Sequence, residues 1–189
     1  MVGAIRRESG RLWRANAAGV EIGHPHRMTE EPIDVRRPFT RIQLTEAKLS
    51  LSLLRRQEFH QVIHGVWVRK DGIDDLTLIR AALALHPEDA FASHLSAAKV
   101  LRLPTPDHTF AHVTVFEEKD RRFRPEIKPH VTQRERRVIV VDGIRTTDPI
   151  ATFIDCAGWL DLVDLVVLGD ALGKRYRITP EELRHACQE

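Results

Sequence analysis

A mixed α+β fold is what the sequence predicts, and three observations carry the prediction. The stretch Asp142–Leu172, DGIRTTDPIATFIDCAGWLDLVDLVVLGDAL, opens on a polar turn and continues as an apolar run at helical spacing. Before it, short apolar segments between residues 111 and 146 have strand character and are separated by charged, proline-containing loops. Before those, residues 38–101 hold short amphipathic helices around one alternating strand. The expected order is a small N-terminal unit, then a mixed α+β domain with a small sheet and a C-terminal helical segment.

Composition bounds the possibilities. At 189 residues, 42% hydrophobic and 30% charged, the chain suits one medium globular domain or two small ones. No apolar run approaches the roughly 18 residues a membrane span needs. The longest, near Leu162–Leu172, is broken by Asp164 and Asp170. The N-terminal arginines lack an apolar segment behind them, which argues against a secretory signal. Two cysteines, Cys156 and Cys187, read as reduced thiols, so the expected location is cytoplasmic, with no membrane partner. The charge is uneven. Residues 1–70 hold 13 Lys and Arg against 7 Asp and Glu, and the remainder 16 against 20. A basic front suggests an anionic partner for that part.

Three parts follow in order. Residues 1–35 have few apolar positions in any register and read as a disordered or poorly ordered arm. Met28 opens MTEEPIDVRRPFT, so the first 27 residues are either an upstream start or a flexible basic arm. In residues 36–72, Thr40 caps a short helix with Ile42 and Leu44 inward, and Ser50 caps a second with Leu51, Leu53 and Leu54. FHQVIHGVWV then alternates as a strand, with Gly65 as a turn or bulge. Two short helices followed by a strand match a minimal winged helix-turn-helix, whose second helix enters a DNA groove and whose wing presents cations to phosphate. Arg41, Arg55, Arg56, Arg69 and Lys70 are the candidate phosphate contacts. Ser50 and Ser52 are placed near base edges or backbone, and His64 beside the wing. A basic helix face that is merely solvated accounts for the same charges.

Residues 73–189 form the mixed domain. Leu76–Leu85 and Leu95–Leu101 read as helices, and Ala111–Phe116, Glu126–Thr132, Arg137–Val141 and Ile144–Thr146 as strands. Asp142-Gly143 is a two-residue hairpin signal. Asp148 or Thr147 caps the next helix, with Pro149 in its first turn and Ile150, Phe153, Ile154 and Ala157 along one face. Thr179-Pro-Glu-Glu is a capping box for a terminal helix.

An ordered set of motifs runs from Pro38 onward: PFTR (Pro38–Arg41), HGVWV (His64–Val68), SHLSAAKVLRLP (Ser93–Pro104) and HVTV (His112–Val115). It continues with VDGIRTTDP (Val141–Pro149), TFIDCA (Thr152–Ala157), DLVVLGDAL (Asp164–Leu172) and TPEEL (Thr179–Leu183). Over about four-fifths of its length the chain thereby resembles the AbiEi-type antitoxin family. It resembles equally the N-terminal part of actinobacterial proteins that carry a very-short-patch-repair-like endonuclease domain, a domain with no counterpart here. The resemblance implies a winged-helix DNA-binding head and an antitoxin-type domain. It implies repression of the protein's own operon, with operator DNA and a nucleotidyltransferase-like toxin as partners. The sequence departs from the pattern at Ala151, where the family has an arginine able to pair with Asp155, and at Arg102, where a glycine is common.

Other chemistry is weaker. Pro106-Asp107, Glu117 and Lys119 have PD…ExK nuclease spacing, but a loop and a solvated strand end explain them. His60/His64 and His108/His112 are four apart, which on a regular strand is roughly 13 Å, too far to share one metal ion. His94 is expected in a buried hydrogen bond. No cofactor, metal or catalytic set is expected, and the acidic residues of Asp142–Leu172 read as helix-surface positions. The leading expectation is a non-enzymatic DNA-binding antitoxin and autoregulator. Its alternatives are a protein-interaction module with a degenerate head, or an accessory, truncated relative of the endonuclease-bearing proteins.

Overall fold

The computed structural model describes residues 33–133 and 136–188, with two short antiparallel strands nearer the N-terminus, β1 (Ile5–Arg6) and β2 (Leu12–Trp13). The rest of the expected arm up to residue 32 lies outside the described residues. The architecture is mixed α+β, with six α-helices, a three-stranded sheet and a five-stranded sheet.

The N-terminal unit, here called the head, consists of β3 (Phe39–Thr40), α1 (Arg41–Glu46), a 3-10 turn (Leu51–Arg55), β4 (Phe59–Ile63) and β5 (Val66–Arg69). Its strands lie in the order β3-β5-β4, all antiparallel. Thr40 accepts from the Gln43 N–H and the Gln43 side chain returns to the Thr40 N–H, a closed capping box that starts α1. The second expected helix is this single 3-10 turn. Ser50 accepts from the Ser52 N–H and bonds its hydroxyl, local contacts that favour a turn over a longer helix. Leu44 is fully buried, but Ile42 is 70% exposed. Positions two apart on an α-helix lie about 200° apart, so both could not face inward. Phe39, Leu44 and Trp67 form a small core, flanked by Ile33, Val35, Leu53, Leu54 and Phe59. Gly65 takes φ +93° in the β4–β5 turn, and the strand register shifts between Gln61 and Ile63.

The second unit contains α2 (Thr77–Leu83), β6 (Phe91–Ala92), α3 (His94–Val100), β7 (Ala111–Val115), β8 (Ile127–Val131), β9 (Val138–Val141), β10 (Ile144–Thr147), α4 (Pro149–Cys156), α5 (Leu162–Tyr176) and α6 (Pro180–Ala186). Its sheet runs β8-β7-β6-β10-β9, with β8/β7 and β6/β10 parallel and the other pairs antiparallel. Asp142 and Gly143, at φ +51° and +73°, make the two-residue turn that joins β9 to β10. Asp148 caps α4 by accepting from the Ala151 N–H, and Thr179 with Glu182 boxes the start of α6.

Helix α4 turns a different face inward from the one expected. Pro149, Thr152 and Cys156 are buried, while Ile150 and Phe153 pack at the margin and Ala157 is exposed. The Thr147 and Thr152 hydroxyls meet at 2.8 Å, which fixes the helix's rotation against β10. Helix α5 buries Leu168, Leu172 and Tyr176 at one-turn intervals. The Tyr176 hydroxyl donates to the Leu101 carbonyl at 3.0 Å. Ile63 and Val66 of the head belong to the same main core as the second unit's helices and sheet. No helix among the described residues is long and apolar enough to cross a membrane.

Candidate functional site

The residues expected to contact DNA fall into two groups at opposite ends of the β4–β5 hairpin. Arg69 lies opposite Phe59, the Lys70 N–H donates to the Glu58 carbonyl, and the Phe59 N–H donates to the Arg56 carbonyl. Arg55, Arg56, Arg69 and Lys70 therefore gather at the open end. Arg41 and His64 sit at the turn end, roughly 10 Å away along the strand at the usual rise per residue. There Arg41 stacks over Trp67 at 5.2 Å, and His64 lines an open groove of about 600 Å³ with Ile42, Gly65, Ala84 and Leu85. The expected wing tip thus abuts the C-terminal end of α2. Ser50 and Ser52 are exposed and bonded to each other.

The open end is cationic with partial neutralisation. Arg69 holds Asp71 through two bonds of 2.6 and 2.7 Å, which keeps that carboxyl below its ordinary range. Arg36 lies 3.4 Å from the same Asp71, and Arg56 lies 3.9 Å from Glu58. The head from residue 33 to 72 carries eight Lys and Arg against four Asp and Glu.

Asp107 and Glu117, the nuclease-like pair, flank opposite ends of β7, and Lys119 is bound to Glu117 at 2.6 Å. Spacing along the strand keeps the two carboxylates apart, so they hold no common ion.

A constellation that spacing along the sequence did not assemble lies in the second unit, on α3, β7 and β8. His94 opens α3, His112 is the second residue of β7 and His130 sits in β8, which is parallel to β7 and pairs His112 with Lys128 and Thr114 with His130. One ring nitrogen from each histidine lies within 4.8 Å of one from each of the others, the one such group among the described residues. His112 Nδ1 and His130 Nε2 are 2.8 Å apart, with rings within 12° of parallel. The His94 ring lies 4.0 Å from that of His130. His112 is fully buried, and its Nε2 has no hydrogen-bond partner. Trp159 meets His112 edge-to-face at 4.5 Å, and Phe110 flanks the group.

The surroundings hold this cluster in place. Ser93 Oγ lies 2.9 Å from His94 Nδ1 and accepts from the Thr114 hydroxyl at 2.7 Å, while Ser96 Oγ accepts from the His112 N–H at 2.8 Å. His94 has φ +50°, a left-handed conformation uncommon for a non-glycine residue. The Asp155 carboxyl lies nearby, and Arg136 and the His94 backbone N–H both draw it down. That carboxylate is only 7% exposed and meets Arg136 at 3.3 Å. Asp155 is therefore not a helix-surface residue, and Arg136 supplies the cation that Ala151 does not. Burial lowers all three imidazoles, His94 to about 3 and His112 to about 2, with neighbouring cations Arg136, Lys128 and Arg121 acting the same way. Burial also raises Asp155 to about 6, against the pull of Arg136.

The earlier distance argument holds for a regular strand only. His108 precedes β7, and its ring is 6.3 Å from His112. The sequence signal for the cluster was the histidine inside SHLSAA and the one opening HVTV; only the parallel pairing of β7 with β8 adds the third. The chain matches no protein-family model, and no curated protein is similar to it.

Proposed function

We propose that the protein is a DNA-binding regulator of the AbiEi antitoxin type, gripping operator DNA with the open end of its head. The observation that carries this reading is the exposed group of Arg55, Arg56 and Lys70 beside Arg69, in a unit with a twofold excess of cations. Arg55 and Lys70 make no ion pair among the described residues, so their charges are available to phosphate. Three or four phosphate contacts would give a slope of about −3 in log K against log salt. The test is fluorescence anisotropy with duplex DNA from upstream of the protein's own coding sequence, over a salt series. Replacing Arg55 and Arg56 with alanine should weaken binding and flatten the slope by about 2. Unchanged affinity and slope would remove the head from the interface.

A second reading, a protein-interaction module, has its own observation. Leu162, Val163, Val166 and Val167 form an apolar strip on the outer face of α5, at 76%, 71%, 55% and 47% exposure, beside exposed Trp159. Such strips mark protein contacts. In the antitoxin reading this is where a nucleotidyltransferase-like toxin would dock. Absence of DNA binding at every salt concentration, together with co-elution of that partner, would favour the interaction module alone.

A further inference from the structure

We propose that His94, His112 and His130 form a three-imidazole site for a divalent transition metal of the zinc class, with a fourth position left to water or an anion. Three facts of geometry converge on it. One nitrogen from each ring lies within 4.8 Å of the other two, as metal-ligating sets require. The His112 side chain is fully buried, with a ring nitrogen that finds no partner in the protein. A buried polar atom without a partner is costly, and a bound ion that reorients the ring relieves that cost. Finally, His94 takes a left-handed backbone conformation at the start of α3, with its ring stacked 4.0 Å from that of His130. Such strain persists where the surroundings specify a side chain's direction.

The chemistry of the donors selects the metal. Imidazole alone, without thiolate or a carboxylate at the ligand positions, suits zinc, copper, nickel or iron and disfavours magnesium and calcium. Neutral imidazole is the ligating form, and burial disfavours the charged form of all three rings. Metal-bound histidines commonly donate their second N–H to an oxygen, which fixes the ring. Ser93 Oγ provides this for His94: it lies 2.9 Å from Nδ1, and with that nitrogen protonated Nε2 keeps its lone pair. Without an ion, His112 and His130 share a hydrogen bond at 2.8 Å. Zinc–nitrogen bonds of about 2.0–2.1 Å place tetrahedral ligand nitrogens about 3.3 Å apart. Opening the pair by about half an ångström and turning the rings about χ2, a soft torsion for histidine, makes that change. Arg121, Lys128 and Arg136 oppose a cation here, while Asp155 favours one from behind His94. The three nearby cations weaken the site for any metal ion. An ion so placed would tie the start of α3 to β7 and β8.

The test uses the untagged full chain, stripped with a chelator. Titration with Co²⁺ should give visible ligand-field bands that saturate at one ion per chain and are displaced by Zn²⁺. With Zn²⁺ at 100 times Kd the melting temperature should rise by about 5–10 °C. His94→Gln and His130→Gln, at half-buried positions, should each weaken binding at least ~10-fold, and His60→Gln on β4 should not. Imidazole ¹⁵N spectra of the unsubstituted chain give a readout that needs no variant. Zn²⁺ should perturb three of the ten histidines strongly. Wild-type affinity weaker than about 100 µM, binding that survives His94→Gln/His130→Gln together, or perturbation of a different set of histidines would overturn the assignment.

Discussion

Acidification should destabilise this protein through the histidine cluster. His94 and His112 have native values of about 3 and about 2, against an ordinary value of 6.5. A histidine lowered on folding contributes stability that is complete above pH 6.5 and lost as pH falls toward its native value. At pH 5 a free imidazole is about 97% protonated, while either buried ring is still neutral, so each costs about 2 kcal/mol relative to pH 7.5. The figure hardly depends on the native value, provided that value lies well below 5. Asp155 acts in the opposite sense. Its carboxyl is raised from 3.8 to about 6, so its contribution is present below pH 3.8 and disappears as pH rises through 6. At pH 5 it returns about 1.4 kcal/mol, leaving a net loss of about 3 kcal/mol for the three groups. His130 and His86 are also lowered by burial and act with the first pair. Urea unfolding at pH 7.5 and 5.0, in chelator, measures the difference directly. Trp159, 4.5 Å from His112, is one of three tryptophans, so a Trp13→Phe/Trp67→Phe background makes fluorescence a local reporter. His94→Gln should reduce the pH-induced loss by about 2 kcal/mol. A change below about 1 kcal/mol between the two pH values, or an equal loss in His94→Gln, would refute burial of neutral imidazoles as the cause.

Two stability predictions follow from close packing. A Cβ added at Gly72 would overlap the Arg36 carbonyl oxygen, a backbone atom that cannot swing aside. Gly72→Ala should therefore cost about 1–3 kcal/mol in urea unfolding and weaken DNA binding with it. Tyr176→Phe removes the donor to the buried Leu101 carbonyl and should cost about 1–2 kcal/mol, with the circular dichroism spectrum unchanged.

Much of the fold was legible because its signals are local. Asp142-Gly143 declared its hairpin by chemistry that only a few dipeptides share. Thr40, Asp148 with Pro149, and Thr179 with Glu182 declared their helix starts, since an N-terminal turn must find acceptors within three residues. Strand β6 was not legible, because two residues give no periodicity, although it lies at the centre of the sheet. Ile42 was misread because apolar character says nothing about azimuth on a six-residue helix. The histidine cluster was beyond local reading for a different reason. Its members are 18 residues apart and meet only where a helix start and two parallel strands converge. The partner of Asp155 was hidden in the same way, as Arg136 reaches it from the loop before β9.

Strand β5 carries Val66 into the main core and Trp67, one residue on, into the head's own core. Alternation along a single strand thus rivets the two units together. The consequence is mechanical. A protease cutting between residues 71 and 75 would sever the chain without releasing the head. A load placed on the cationic end of the head would reach α2 and the sheet through Val66.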